Sequence, residues 1–161
     1  MRDRGYEFSW YDPFATNLFA QTFEGSLDAK YDLVTAIEVL EHLHQPDDTI
    51  ATLCALAPAL VATTELLPDP APHPSEWWYY SLQTGQHVMF YTQKGLDELA
   101  RRHGRRVTSH GNLHVIANRT FPPRLLRVVT SERAARFLTQ LSRRPSLLDD
   151  DYRSLTGQSP N

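Results

Sequence analysis

One short stretch constrains this chain most. Leu33, Val34, Ala36 and Ile37 follow Asp32 with a single polar interruption, and Glu38, Val39, Leu40, Glu41, His42 and Leu43 come directly after. Such continuous apolar character suits a strand covered on both faces, the setting of a parallel sheet, better than a half-exposed antiparallel strand. The carboxylates and the imidazole then fall at the carboxyl end of that strand, where open α/β sheets bind ligands. The competing reading is a central strand followed by a solvated helix start.

The 161 residues suffice for one domain with a substantial core and leave little room for a second. No run of about 18 apolar residues exists that would cross a membrane, and the polar start Met1-Arg2-Asp3-Arg4 is unlike a secretory signal. The expected compartment is therefore cytoplasmic. Cys54 is the only cysteine, which excludes an internal disulfide and a cysteine metal cluster; its apolar neighbours Leu53, Ala55 and Leu56 suit a core thiol.

Local signals set the order of elements. Tyr6 to Tyr11 alternates as an aromatic strand, and Asp12-Pro13 closes it, with a short helix expected from Phe14 to Phe19. Asp32 to Glu38 is the next strand. Gln45-Pro46-Asp47-Asp48 opens a helix with Ile50, Leu53, Cys54 and Leu56 on its apolar face, and Leu60 to Thr64 is a further buried strand with Glu65 at its exit. Four prolines between Pro68 and Pro74 exclude regular helix there. Thr92 reads as the N-cap of a helix with Leu96, Leu99 and Ala100 on one side, ended by His103-Gly104. Two closing strands, Arg106 to Ser109 and Leu113 to Ala117, join at Gly111-Asn112.

The formal charge of −3 gives no overall attraction to nucleic acid, yet Arg119 to Arg144 holds seven arginines and only Glu132 as an acid. With Leu125, Val128, Phe137, Leu138 and Leu141, this stretch reads as a basic amphipathic helical segment packed on or extending the domain. A flexible tail is expected over 145–161. The resulting division is 1–118, 119–144 and 145–161.

Three segments, Tyr11-Asp12-Pro13-Phe14, Glu38-Val39-Leu40-Glu41-His42-Leu43 and Gln86-His87-Val88-Met89-Phe90-Tyr91-Thr92, resemble the small-molecule branch of the class I S-adenosylmethionine-dependent methyltransferases. The resemblance implies an α/β, Rossmann-like fold, mostly parallel, with an antiparallel terminal strand. It implies that Asp12 accepts hydrogen bonds from the ribose hydroxyls of S-adenosylmethionine, that Tyr11 or Phe14 covers the adenine, and that Ile37, Glu38 and Glu41 border the methionine end. His42, then His87, are the base candidates for a small-molecule methyl acceptor walled by Trp77, Trp78 and Tyr79.

Members of that family place a first strand and a Gly-rich turn ahead of the acidic residue. Here only eleven residues precede Asp12 and no Gly-x-Gly occurs, so the chain resembles a domain lacking those elements, with weak cofactor binding expected. Three outcomes are open for the sheet gap: direct strand pairing closes it, self-association or a partner's strand fills it, or the isolated chain folds poorly. Two alternatives stand beside this reading. Glu38, Glu41, His42 and His87 loosely resemble the metal-binding set of terminal-nucleotide RNA 2'-O-methyltransferases, although the favoured site requires no metal. The other alternative is a noncatalytic interaction or assembly domain.

Overall fold

The structure, a computed structural model, describes residues 1–16, 18, 21–141 and 144–158. They group into two compact units. One spans residues 27–128, and the other combines residues 1–26 with 129–161, a grouping different from the three consecutive segments the sequence suggests.

The 27–128 unit is built on a four-stranded sheet of β1 (Val34–Ile37), β2 (Ala59–Thr63), β3 (Arg106–His110) and β4 (Leu113–Ala117), in the order β1-β2-β4-β3. β1 and β2 are parallel, whereas β4 is antiparallel to both β2 and β3. Three strands therefore run in one direction and the last one reverses, giving an α/β fold with a mixed sheet flanked by helices. Helix α1 (Pro46–Leu56) connects β1 to β2, and α2 (Gln93–Arg102) precedes β3. Pro46 sits in the first turn of α1, where its missing N–H leaves no bond unmade. Thr92 caps α2 by accepting the Gly95 N–H at 3.0 Å, which satisfies one orphan donor of the first turn. Gly111 has φ +59 in the turn between β3 and β4, a conformation that side-chain-bearing residues seldom adopt.

Alternation along the strands gives each face its own core. Ala36, Leu60, Ala62 and Ile116 pack with Ile50, Leu96, Leu99 and Ala100 on one face. Val115 and Ala117, with Ala59 and Val61, meet Phe121 and Leu126 on the other, Leu126 belonging to α3 (Pro123–Val129). Cys54 packs against the first cluster, and burial pushes its thiol pKa up. The expectation of a strand covered on both faces fails for β1. It is an edge strand paired only with β2 among the described residues, and Leu33 and Ile37 are 49% and 54% exposed.

His114 on β4 is wholly buried, with its ring nitrogens 2.9 Å from Ser109 Oγ and 3.0 Å from the Thr64 carbonyl oxygen. Burial lowers its pKa from 6.5, partly opposed by the Thr64 carbonyl. The unfolded chain thus takes up the extra proton first. The contribution of His114 is full above about pH 6.5 and is lost as pH falls from there towards the lower folded pKa. We expect the urea midpoint to drop between about pH 7 and about pH 5, and His114→Gln to flatten that drop. Parallel pH profiles for the two proteins would refute the assignment.

The other unit joins the two chain ends. Arg2 pairs through its guanidinium with Asp151 on α5 (Leu148–Thr156), and the Leu147 N–H donates to the Arg2 carbonyl at 3.1 Å. The Arg2 guanidinium holds the Asp151 carboxyl below its ordinary pKa. Gly5 has φ +74, and a β-carbon there would lie 2.4 Å from the Pro145 carbonyl oxygen, so only glycine fits this close approach. Residues 145–161, expected as a tail, thus carry a helix tied to the N-terminus. The basic segment forms α3 and α4 (Glu132–Leu141).

Tyr6 to Tyr11 is not the expected strand. Among the described residues its only ladder contact is an isolated bridge between Trp10 and Glu24, and Arg144 lies 4.8 Å over the Tyr6 ring. Among those residues, aromatic alternation had no neighbouring strand to pair with. The short helix expected over Phe14 to Phe19 falls partly outside the described residues; 13 and 14 form a bend. Among the described residues, no helix is long and apolar enough to cross a membrane.

Candidate functional site

Where β1 ends, the backbone turns sharply. Glu38 has φ +52, an uncommon conformation for a residue with a β-carbon and one that concentrates at functional turns. Thr63, at the end of the neighbouring strand, holds it: the Glu38 N–H donates to Thr63 Oγ1 at 3.0 Å, and the Thr63 hydroxyl donates to Glu38 Oε1 at 2.7 Å. A 3-10 turn over Leu40–His42 follows. Leu40 is wholly buried, and its carbonyl accepts the Tyr91 hydroxyl at 3.1 Å. Apolar Leu40 at the start of that turn draws the neighbouring Glu41 to zero exposure.

The segment 86–89 closes over this turn. Val88 and Met89 donate their N–H groups to the Glu41 carbonyl at 2.9 and 3.1 Å. The rings of His42 and His87 meet edge to face at 5.0 Å. His42 Nδ1 lies 3.0 Å from the Gln86 carbonyl oxygen, and His87 Nδ1 lies 2.6 Å from that of Tyr79. A carbonyl oxygen only accepts, so each Nδ1 carries a proton, and in the neutral imidazole each Nε2 presents a lone pair. The structure therefore brings together Glu41, His42 and His87, three of the residues singled out in the sequence. It does not turn Glu38 towards Glu41, however, because Thr63 takes the Glu38 carboxylate.

The aromatic segment divides its roles. Tyr79 is buried, with its hydroxyl 3.1 Å from Thr64 Oγ1 and its ring 4.5 Å from that of His87. Burial pushes the Tyr79 pKa up to about 12, with Glu41 adding to the shift and the Thr64 hydroxyl opposing it. Burial, with Glu41 again adding, raises that of Tyr91. Tyr79 is thus a packing residue rather than an open wall. Trp77 is half-buried and its ring meets those of Tyr80 and Phe90 at 4.9 and 5.8 Å, while Trp78 is 76% exposed and meets the Tyr79 ring edge to face at 5.2 Å. Sequence reasoning missed Thr63 and Thr64, which anchor Glu38 and Tyr79. Their position at the carboxyl end of an apolar strand was the available signal.

Asp12 belongs to the other unit. Its Oδ1 accepts the Phe14 N–H at 2.8 Å, closing a local side-chain turn. Around it lies a recess of about 560 Å³ lined by Tyr11, Asp12, Pro13, Ala15, Thr16, Glu24 and Gly25. Tyr11 is 53% exposed; Phe14, at 95%, covers nothing here.

A protein-family model described as a methyltransferase domain matches residues 1–110. That is more than half of the chain, and the chain belongs to this methyltransferase family. No curated protein matches the sequence. Among solved structures, magnesium protoporphyrin IX methyltransferase from Synechocystis PCC 6803 with bound SAH is 15% identical over 58% of this chain and 48% of its own, with a TM-score of 0.40. CalO1, a methyltransferase in calicheamicin biosynthesis, in its SAH-bound form is 14% identical over 60% of this chain and 33% of its own, with a TM-score of 0.43. LepI in complex with SAM is 11% identical over 58% of this chain and 28% of its own, with a TM-score of 0.42. The chain spans less than two thirds of each of these proteins, and similarity at this level assigns no residue a role.

Proposed function

We propose that the chain is an S-adenosylmethionine-dependent methyltransferase domain for a small-molecule acceptor, with its acceptor side at the exit of β1. What carries this reading is the turn from Glu38 to His42, folded against His87 at the carboxyl end of the sheet, in a chain of the methyltransferase family. S-adenosylmethionine, when bound, supplies an electrophilic methyl group. The nucleoside end of that cofactor suits the recess around Asp12, whose volume lies in the range of about 300–1,000 Å³ usual for small-molecule sites. Asp12 keeps lone pairs for a diol beyond the one given to Phe14. Tyr11 supplies the aromatic face. Within the 27–128 unit taken by itself, Ile37, Glu38 and Glu41 are the residues proposed for a methionine group, and no Gly-x-Gly turn adds backbone donors there.

The chain's own residues then have two tasks, orienting an acceptor and removing its proton. Trp78 offers a planar surface for the acceptor. His42, or His87 in its place, accepts the acceptor's proton at Nε2, the nitrogen left free by the carbonyl contact at Nδ1. The formal charge of −3 disfavours an RNA acceptor.

The open edge of β1 supports a second component of this reading. Its half-exposed apolar residues and free ladder groups suit pairing with a second copy of the chain.

Calorimetric titration with S-adenosylhomocysteine tests the cofactor assignment without requiring the acceptor. We expect weak binding, because each missing polar contact removes about 0.5–1.5 kcal/mol. Asp12→Ala should weaken it further, and His87→Ala should leave it nearly unchanged. Submicromolar binding by the monomer, or equal sensitivity to both substitutions, would contradict the reading.

A further inference from the structure

The arginine-rich stretch after residue 118 has no part in the proposed site, and its helices bury little of their apolar surface. α4 is 10 residues long and buries none of them. A helix of that length is marginal in water by itself, and in a folded protein its stability comes from packing an amphipathic face against a neighbouring surface. Ala134, Phe137, Leu138 and Leu141, at spacings of three and four, share one face of α4. Phe137 and Leu141 are 61% and 69% exposed. The stripe is formed, yet the chain leaves most of it in water.

The charges beside it have one sign. Glu132, the only acid between 119 and 144, is paired with Arg136 on α4 itself. Arg133 borders the stripe, is exposed, and among the described residues pairs with no carboxylate. α3, taken by itself, repeats the pattern. Leu126 is buried against the sheet, while Leu125, Val128 and Val129 form an exposed stripe at the same spacing. Arg124, also exposed, lies on the side of that stripe away from Leu126.

We infer that α3 and α4 dock on the surface of an anionic lipid bilayer, with their apolar stripes at the acyl boundary and their arginines among the headgroup phosphates. An apolar stripe bordered by arginine is what an interfacial helix requires. A polyanion such as RNA would take the arginines but leave Phe137 and Leu141 in water. A second copy of the chain would bring arginine against arginine. A fluid bilayer accepts each stripe separately and needs no groove shaped to receive it. The two helices lie on the bilayer and do not cross it, being far short of the roughly 20 residues a span needs. This attachment does not depend on the cofactor or acceptor readings.

The test is co-sedimentation of the full chain with sucrose-loaded vesicles, either of phosphatidylcholine alone or containing about 30% phosphatidylserine, at about 0.1 M salt. We expect binding to the mixed vesicles, binding to the neutral ones weaker by about tenfold or more, and a loss of affinity as salt is raised. Arg124→Gln combined with Arg133→Gln should weaken binding to the mixed vesicles roughly twenty- to thirtyfold, about fivefold for each charge. Lys94→Gln, at an exposed position on α2, should not alter it. Phe137→Ser combined with Leu141→Ser should weaken it by about tenfold or more, and Leu82→Ser, at an exposed apolar position elsewhere, should leave it unchanged. Circular dichroism of each free variant should match the parent; if the serine pair does not fold, the arginine pair decides. No sedimentation with mixed vesicles, equal binding to neutral and mixed vesicles, or a folded serine pair that binds like the parent would overturn the inference. So would light scattering without vesicles in which the serine pair abolishes self-association, since the stripe would then belong to a second copy.

Discussion

Leu96→Ala is expected to remove about 2–5 kcal/mol from the stability of the 27–128 unit. Leu96 has zero exposure on α2 and belongs to the cluster in which α1 and α2 cover one face of the sheet. Truncation withdraws methyl groups from that cluster and leaves a cavity that the fixed strands cannot close. A whole domain is stable by only about 5–15 kcal/mol, so the loss should shift the urea midpoint strongly. Leu82→Ala, at a position 66% exposed, should stay within about 0.5 kcal/mol of the parent. If the two variants unfolded alike, α2 would not be part of this core.

The second large effect concerns association. Among the described residues β1 keeps one unpaired ladder edge, with Leu33 beside it and Ile37 within it at half exposure, and such an edge is a template for pairing with another chain. The parent protein is expected to show a mass that rises with concentration across the micromolar to millimolar range in light scattering. Leu33→Lys combined with Ile37→Lys should hold it at the monomer mass, because a lysine cannot be desolvated cheaply in a strand interface. Unchanged circular dichroism in the variant separates this outcome from misfolding. A parent that remains monomeric throughout the range would remove association through β1 from the account.

Elements set by local pattern were legible in the sequence. The apolar runs before Glu38 and Glu65 gave β1 and β2, Pro46 gave the start of α1, and Thr92 gave the cap of α2. Gly111-Asn112 gave the turn between β3 and β4. Elements that depend on distant partners were not. The Arg2–Asp151 pair joins positions 149 apart, and no periodicity announces it, so Pro145 and the polar residues after it read as a tail. Tyr6 to Tyr11 had the alternation of a strand but lacked a ladder.

The site divides along the same line. The sequence located Glu38, Glu41, His42 and His87 as a group, since the strand exit fixes three of them. It could not reveal that Glu41 is buried while Glu38 turns to Thr63. Nor could it separate buried Tyr79 from exposed Trp78, because adjacent aromatic residues read alike until a backbone turn divides them.

That the chain binds an S-adenosylmethionine-type ligand is the reading most open to refutation. Amide chemical-shift mapping of the folded chain during titration with S-adenosylhomocysteine tests it most directly, since that method detects weak binding residue by residue. We expect saturable shifts in residues 11–14 and in residues 37–41, with those in 11–14 diminished in Asp12→Ala. Saturable shifts confined to other segments, or none at all up to the solubility of the ligand, would contradict it.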